Sequence, residues 1–226
     1  MKRKIFIDGT IGEKQILKIE DHSIIERIKK VYKLKPKDTI IFVGQDLIEG
    51  IFIYADPKNF IFKKLEAYKR TASPKRKINL YLSFIKKDNF ELVLKKSAEL
   101  GVYKIIPVIS ERSPWSTNKI PDRWIKIIKS ALEVTEWNFI PEIKKPILIK
   151  NLPDKIFVLE KSGNIYENSF FDKEEINILI GPEGGFSDKE LKLLKEKECS
   201  FISLGNITLR TETAIFVILS LLNFPC

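Results

Sequence analysis

The hydrophobic period of the chain changes near residue 70, and no single layer of structure satisfies both halves. From Lys4 to about Ala67 the apolar residues come in short runs, among them Ile5-Phe6-Ile7, Ile40-Ile41-Phe42-Val43, Ile51-Phe52-Ile53-Tyr54 and Phe60-Ile61-Phe62, broken by Gly9, Gly12, Gly44, Gly50 and Pro57. Runs rich in β-branched and aromatic residues and bounded by turn formers predict a small barrel of short antiparallel strands. Ser23 to Tyr32 is the one helical stretch within it, with Ile24, Ile28 and Val31 at helical spacing. The stretch from Lys69 to Lys77 is basic and interrupted by Pro74. It divides the chain into a domain over 1–70, a linker over 71–77 and a domain over 78–226.

Beyond that boundary strand and helix alternate, the pattern of a mostly parallel sheet covered by helices, so the fold class is α/β with a preceding β-barrel. Strands are expected at 78–84, 104–109, 155–159, 175–180 and 201–204. A helix capped by Asp88 would bury Phe90, Val93, Leu94, Ser97 and Ala98 and end at Gly101. Further helices are expected from Pro121, with Trp124, Ile127, Ile128 and Ala131 on one face, from Asp188, and from Thr211 to Leu222.

Forty basic residues against 30 acidic ones leave a net charge of +10, which favours a polyanionic partner. Charge alone does not separate RNA, DNA and acidic lipid, and Arg3, Lys4, Arg27, Lys33, Arg70, Lys75, Arg76 and Arg112 are the candidate phosphate contacts. Trp115 and Trp137 are candidates for stacking on bases, whereas Trp124 reads as core. Cys199 and Cys226 are far apart, and His22 is the only histidine, set in a charged segment as an exposed turn or cap. That inventory builds neither a disulfide scaffold nor a zinc ribbon, and it leaves little for a Ser-His-Asp triad or a metal centre. The longest apolar run, Ala214 to Leu222, is far below the roughly 20 residues that cross a bilayer. The charged start lacks a signal peptide's apolar stretch, so a cytoplasmic protein with no membrane and no metal partner is expected.

Two stretches carry the chemistry. An apolar strand (Ile176, Ile178, Leu179, Ile180) runs into Gly181-Pro182-Glu183-Gly184-Gly185-Phe186 and then into a helix whose Ser187 and Glu190 form a capping box. Three glycines in five residues remove side chains where the backbone approaches something closely, and ligand sites in α/β sheets lie after strand ends. P-loop and dinucleotide signatures are absent from the residues. The second stretch is Ser203-Leu204-Gly205-Asn206-Ile207-Thr208-Leu209-Arg210-Thr211-Glu212-Thr213-Ala214. Arg210 stands where the last helix begins, opposed by the positive end of the helix dipole. A charge kept there answers to an ion pair with Glu212 or Glu183, or to a bound anionic group.

Together these two stretches resemble the paired signatures of the RsmE family, S-adenosylmethionine-dependent methyltransferases of the SPOUT superfamily that act on N3 of a uridine in 16S ribosomal RNA. Lys96-Ser97-Ala98-Glu99-Leu100-Gly101 and Ser110-Glu111-Arg112-Ser113 fit the same family, and the likeness spans essentially the whole chain. The resemblance implies a PUA-like RNA-binding β-barrel, a SPOUT α/β domain with a C-terminal trefoil knot, a homodimer, and S-adenosyl-L-methionine as cofactor. It implies a cofactor site of three loops: Leu159 and Glu160; Ile180, Gly181, Pro182, Gly184 and Gly185; and Ser203, Leu204, Gly205, Asn206, Ile207 and Leu209. For catalysis it leaves Arg210 as the cation that stabilises a uracil anion, with Glu183, Glu212 or water as the base. The chain departs from the family pattern at Lys95, at Glu133-Val134-Thr135-Glu136-Trp137 and at Ile207, positions expected near the RNA target. A non-catalytic RNA-binding or assembly factor on the same fold, or a methyltransferase for another RNA, are the alternative readings.

Overall fold

The computed structural model describes residues 3–165 and 173–224; Cys226 lies outside them. The chain divides into two compact units, 1–72 with 132–139, and 73–131 with 140–226.

In the first unit β1 (Lys4–Phe6), β2 (Ile16–Lys18), β3 (Thr39–Val43), β4 (Ile48–Asp56) and β5 (Ile61–Lys69) form one sheet in the order β1-β3-β4-β5-β2. Two expectations are corrected here. The pairing of β1 with β3 is parallel, because the chain returns to β1's edge only after β2 and a helix. Among the described residues β1 and β2 do not pair with each other, so the sheet is a curled half-barrel and not a closed barrel. Ile40 and Phe42 on β3, Phe52 and Tyr54 on β4 and Phe62 on β5 alternate onto one face and pack into a single buried core. The Phe42 ring meets Phe52 and Phe62 edge-on at 5.5 and 5.0 Å, and Tyr54 stacks on Phe62 at 4.6 Å.

The helical stretch is α1 (His22–Glu26), capped by the Asp21 carboxylate accepting from the Ser23 and Ile24 amides, followed by a π-helix over Arg27–Tyr32. Its i→i+5 bonding widens the turn. The residue that follows Ile28 back to the body of the unit is therefore Tyr32, whose hydroxyl donates to the Lys4 carbonyl at 3.0 Å. Val31, expected on the buried face, is 68% exposed. His22 is exposed.

A buried ionic cluster ties this unit together. Glu49, fully buried, accepts from Lys4 Nζ at 2.9 Å, Arg70 Nε at 2.9 Å and the Tyr68 hydroxyl at 2.7 Å. Arg70 donates onward to the Leu132 carbonyl at 2.7 Å, and Arg27 forks onto Glu133 at 2.9 and 2.7 Å. These bonds explain why the 132–139 segment, placed by its sequence position in the second domain, clusters with the first unit. They also commit Lys4, Arg27 and Arg70, read from the sequence as phosphate contacts, to partners within the unit.

In the second unit β6 (Lys77–Ser83), β7 (Lys104–Ile109), β8 (Glu142–Ile143), β10 (Phe157–Ile165), β11 (Glu175–Ile180) and β12 (Ser200–Ser203) run in the order β12-β10-β11-β6-β7-β8, with β9 (Ile147–Leu148) also on β7. Every pairing is parallel. The helices α2 (Lys87–Glu99), α3 (Asp122–Ala131), α4 (Asp188–Glu196) and α5 (Thr211–Asn223) cover it. Ile176, Ile178 and Ile180 of β11 join a core with α2, α3 and α5, while Leu179 joins a second core with Leu194 of α4. The sheet is thus buried on both faces, as parallel sheets require. The α2 face is the expected one, Phe90, Val93, Leu94, Ser97 and Ala98. Its cap is not: the helix starts one residue before Asp88, with Lys86 as N-cap. Trp115 packs edge-on against Phe84 at 4.7 Å and donates its indole N–H to the Ile85 carbonyl at 2.6 Å, which makes it a structural aromatic like Trp124 and not a free stacking platform.

Candidate functional site

Three neighbouring parallel strands lie level where β11 and β12 end, while β10 runs on to Ile165. Leu159 of β10 pairs in register with Ile180 of β11 on one side and Ile202 of β12 on the other. The residues that follow these positions line one open cleft of about 170 Å³.

The β11 loop is held at several points. The Glu183 carboxylate accepts from the Lys86 amide at 2.9 Å, at the start of α2, and the Gly184 carbonyl accepts from the Arg112 guanidinium at 2.8 Å. Gly185 donates to the Pro182 carbonyl at 2.9 Å and sits at φ +68°, with open space where a Cβ would stand. Its glycine is therefore required by backbone conformation and not by close approach, the reason expected. Ser187 and Glu190 form the anticipated capping box, and the second Glu190 oxygen accepts from the Glu111 amide at 2.8 Å. The start of α4 is thereby satisfied by the chain itself.

The β12 loop turns at Gly205, φ +107°, whose amide donates to the Ser203 hydroxyl at 3.2 Å. Residues 206–210 that follow are exposed. The β10 end is irregular: its register on β12 shifts between Leu159 and Asn164. There Gly163 lies so close to β12 that a Cβ would stand 2.6 Å from the Ile202 nitrogen and 2.6 Å from the Phe201 carbonyl carbon.

Of the expected cofactor residues, Leu159, Glu160, Ile180, Gly181, Pro182, Gly185, Ser203, Leu204, Gly205, Ile207 and Leu209 line this cleft; Gly184 and Asn206 do not. Of the catalytic candidates only Glu183 lines it, while Arg210 and Glu212 stand outside its wall. Arg210 is exposed at the N-cap of α5, between cleft residues Leu209 and Thr211, and among the described residues it pairs with neither Glu183 nor Glu212. Lys161, Thr208, Thr211 and Ala214 also line the cleft and escaped the sequence reading. Strand alternation would have turned Lys161 away from Glu160, and the threonines were read only as motif spacers. Arg76 donates to the Leu222 carbonyl at 2.6 Å and Arg3 pairs with Asp38 at 3.3 Å. That leaves Lys33 and Lys75 as the RNA candidates with no acceptor among the described residues.

Residues 71–223 match the model of a family described as the RNA methyltransferase domain. The chain is 30% identical over 222 residues to the ribosomal RNA small subunit methyltransferase E of Rickettsia conorii, covering 93% of this chain and 91% of that protein. It is 32% identical over 166 residues to the protein of the same name from Aquifex aeolicus, covering 67% and 70%. A solved structure from Legionella pneumophila with bound cofactor SAM aligns with a TM-score of 0.84 at 26% identity, over 98% of this chain and 97% of that one.

Proposed function

The chain belongs to the RNA methyltransferase family, and from that premise we propose that it methylates N3 of a uridine in small-subunit ribosomal RNA with S-adenosylmethionine as donor. The observation that carries this reading is the cleft at the C-terminal ends of β11 and β12, beside β10, lined by both glycine-bearing turns. The residues present suit the donor: backbone groups at the exposed turns for adenine, apolar Leu159, Ile180, Leu204 and Leu209 to flank it, and charged side chains for the amino-acid end.

The donor supplies a sulfonium-bound methyl; as N3 bonds to that carbon the S–CH₃ bond breaks, S-adenosylhomocysteine leaves, and the N3 proton passes to a base. Holding both reactants in line supplies up to about 7–11 kcal/mol of such a barrier. Arg210 stands beside the cleft with its guanidinium uncommitted, and it stabilises the negative charge that develops on the uracil oxygens. Glu183 is the base candidate the geometry favours over Glu212, because it lines the cleft. One of its oxygens is held by the Lys86 amide, which fixes the carboxylate and leaves the other oxygen for the proton. The half-barrel unit is the PUA-like RNA-binding domain, with Lys33 as one of its phosphate contacts. The second unit is a SPOUT domain with a C-terminal trefoil knot, acting as a cytoplasmic homodimer.

Incubating the protein with S-adenosylmethionine and either protein-free 16S RNA or assembled small subunits, then digesting to nucleosides for mass spectrometry, tests the reading. N3-methyluridine is expected in one of the two. A protein that binds the donor calorimetrically and marks neither substrate would be a binding or assembly factor instead.

A further inference from the structure

The cleft wall carries three charged side chains, Glu160, Lys161 and Glu183. Glu160 and Lys161 are adjacent in sequence, and in a regular strand adjacent residues face opposite sides. Here both reach the cleft because the strand loses register on β12 between Leu159 and Asn164. Lys161 Nζ donates to the Thr208 hydroxyl at 2.7 Å. That bond reaches from the β10 end to the β12 loop and leaves two ammonium protons unused. Glu160 accepts from the Lys161 amide at 3.0 Å and keeps its other oxygen.

Resting on the methyl-donor reading of this cleft, we propose that Glu160 and Lys161 form a clamp for the zwitterionic end of the donor. Lys161 pairs with the α-carboxylate and Glu160 with the α-ammonium, and Thr208 is the positioning residue that holds Lys161 in place. The charges match. The donor brings two cations, sulfonium and ammonium, and one carboxylate; the wall brings two carboxylates and one ammonium. An RNA phosphate, by contrast, would meet a wall of net negative charge, so Lys161 serves the donor and not the RNA backbone.

S-adenosylhomocysteine carries the amino-acid end, and 5′-methylthioadenosine is the same thioadenosine without it. Calorimetric affinities of both are measured for the wild type, Lys161→Met and Thr208→Val. Lys161→Met is expected to weaken S-adenosylhomocysteine about tenfold, the size of one charge-assisted hydrogen bond, and to leave 5′-methylthioadenosine within about twofold. Thr208→Val should weaken the former by a smaller factor, again sparing the latter. Equal losses for the two ligands, or no loss for either, overturn the clamp while leaving the cleft a methyl-donor site. A wild type that binds neither ligand overturns the reading of the cleft itself, and the clamp with it.

Discussion

Replacing Gly163 by alanine sets a methyl carbon 2.6 Å from both the Ile202 nitrogen and the Phe201 carbonyl carbon, and 2.7 Å from the Phe201 oxygen. All three are backbone atoms of β12, which no rotamer change can move aside. Overpacking of this kind costs about 1–3 kcal/mol, and the reduced entropy of the unfolded chain returns about 0.4–1 kcal/mol of that. A net loss of about 1–2 kcal/mol remains, which lowers Tm by roughly 2–8 °C for a chain of this size. Gly184 supplies the control within the same unit: its methyl would lie 3.5 Å from Arg112 Cδ, ordinary contact with a flexible side chain, and its backbone is not left-handed. Gly184→Ala should melt within about 2 °C of the wild type, since surface changes fall within about 0.5 kcal/mol. The damage at Gly163 should also reach the cleft, because β12 ends there at Ser203, so S-adenosylhomocysteine affinity falls along with Tm. Calorimetric melts of the three proteins with and without that ligand decide the matter. Coincident melting of Gly163→Ala and Gly184→Ala would mean that the β10–β12 approach is not as tight as described.

Arg210→Ala should lower the methylation rate about 10²- to 10³-fold, the loss expected for one preorganised donor, with S-adenosylhomocysteine affinity within about twofold; a normal rate removes the assignment. Glu49→Gln strips the anion from Lys4 and Arg70 in a buried site and should cost about 3–5 kcal/mol in urea melts. Burial pushes the Glu49 carboxyl up, yet hydrogen bonds from Lys4 and Tyr68 and the Arg70 charge hold it below its ordinary 4.5. Its folded value being depressed, its contribution is present above the unfolded value and is lost as pH falls through the folded one, so acid should destabilise the wild type more than Glu49→Gln. If Lys33 and Lys75 meet RNA phosphates, removing both should flatten the salt dependence of RNA binding by between about 1 and 2 in log–log slope, read by filter binding over a salt series; an unchanged slope rejects them.

What the sequence reveals depends on how far each cause lies from its effect along the chain. The α2 face is legible because its five buried residues recur within one helix, and the turn glycines because strand, turn and helix follow one another directly. The π-helix is not legible, since Ile24, Ile28 and Val31 fit an α-helix equally well and only the contacts of Tyr32 distinguish the wider turn. Gly163 reads as an unremarked loop glycine because what excludes its Cβ comes from Phe201 and Ile202 on another strand. The two-residue strands β8 and β9 are too short to show any period. Lys161 is hidden by a register shift that alternation cannot anticipate.

The arginines show the same limit most clearly, and they explain why net charge is a poor guide to the site. Lysines supply all but seven of the 40 basic residues, so the long-range attraction to a polyanion rests on side chains that recognise charge and little else. Six of the seven arginines spend their planar forks within the chain: Arg3 on Asp38, Arg27 on Glu133, Arg70 on Glu49, Arg76 on the Leu222 carbonyl, Arg112 on the Gly184 carbonyl and Arg123 on Glu91. Arg210 alone among them has no acceptor among the described residues. It stands where the dipole of α5 disfavours a cation. The fold gives each of the other six guanidiniums an acceptor and gives this one none among the described residues. A negative charge arriving beside it would offset that cost, and in the reaction proposed above a uracil losing its N3 proton is such an anion.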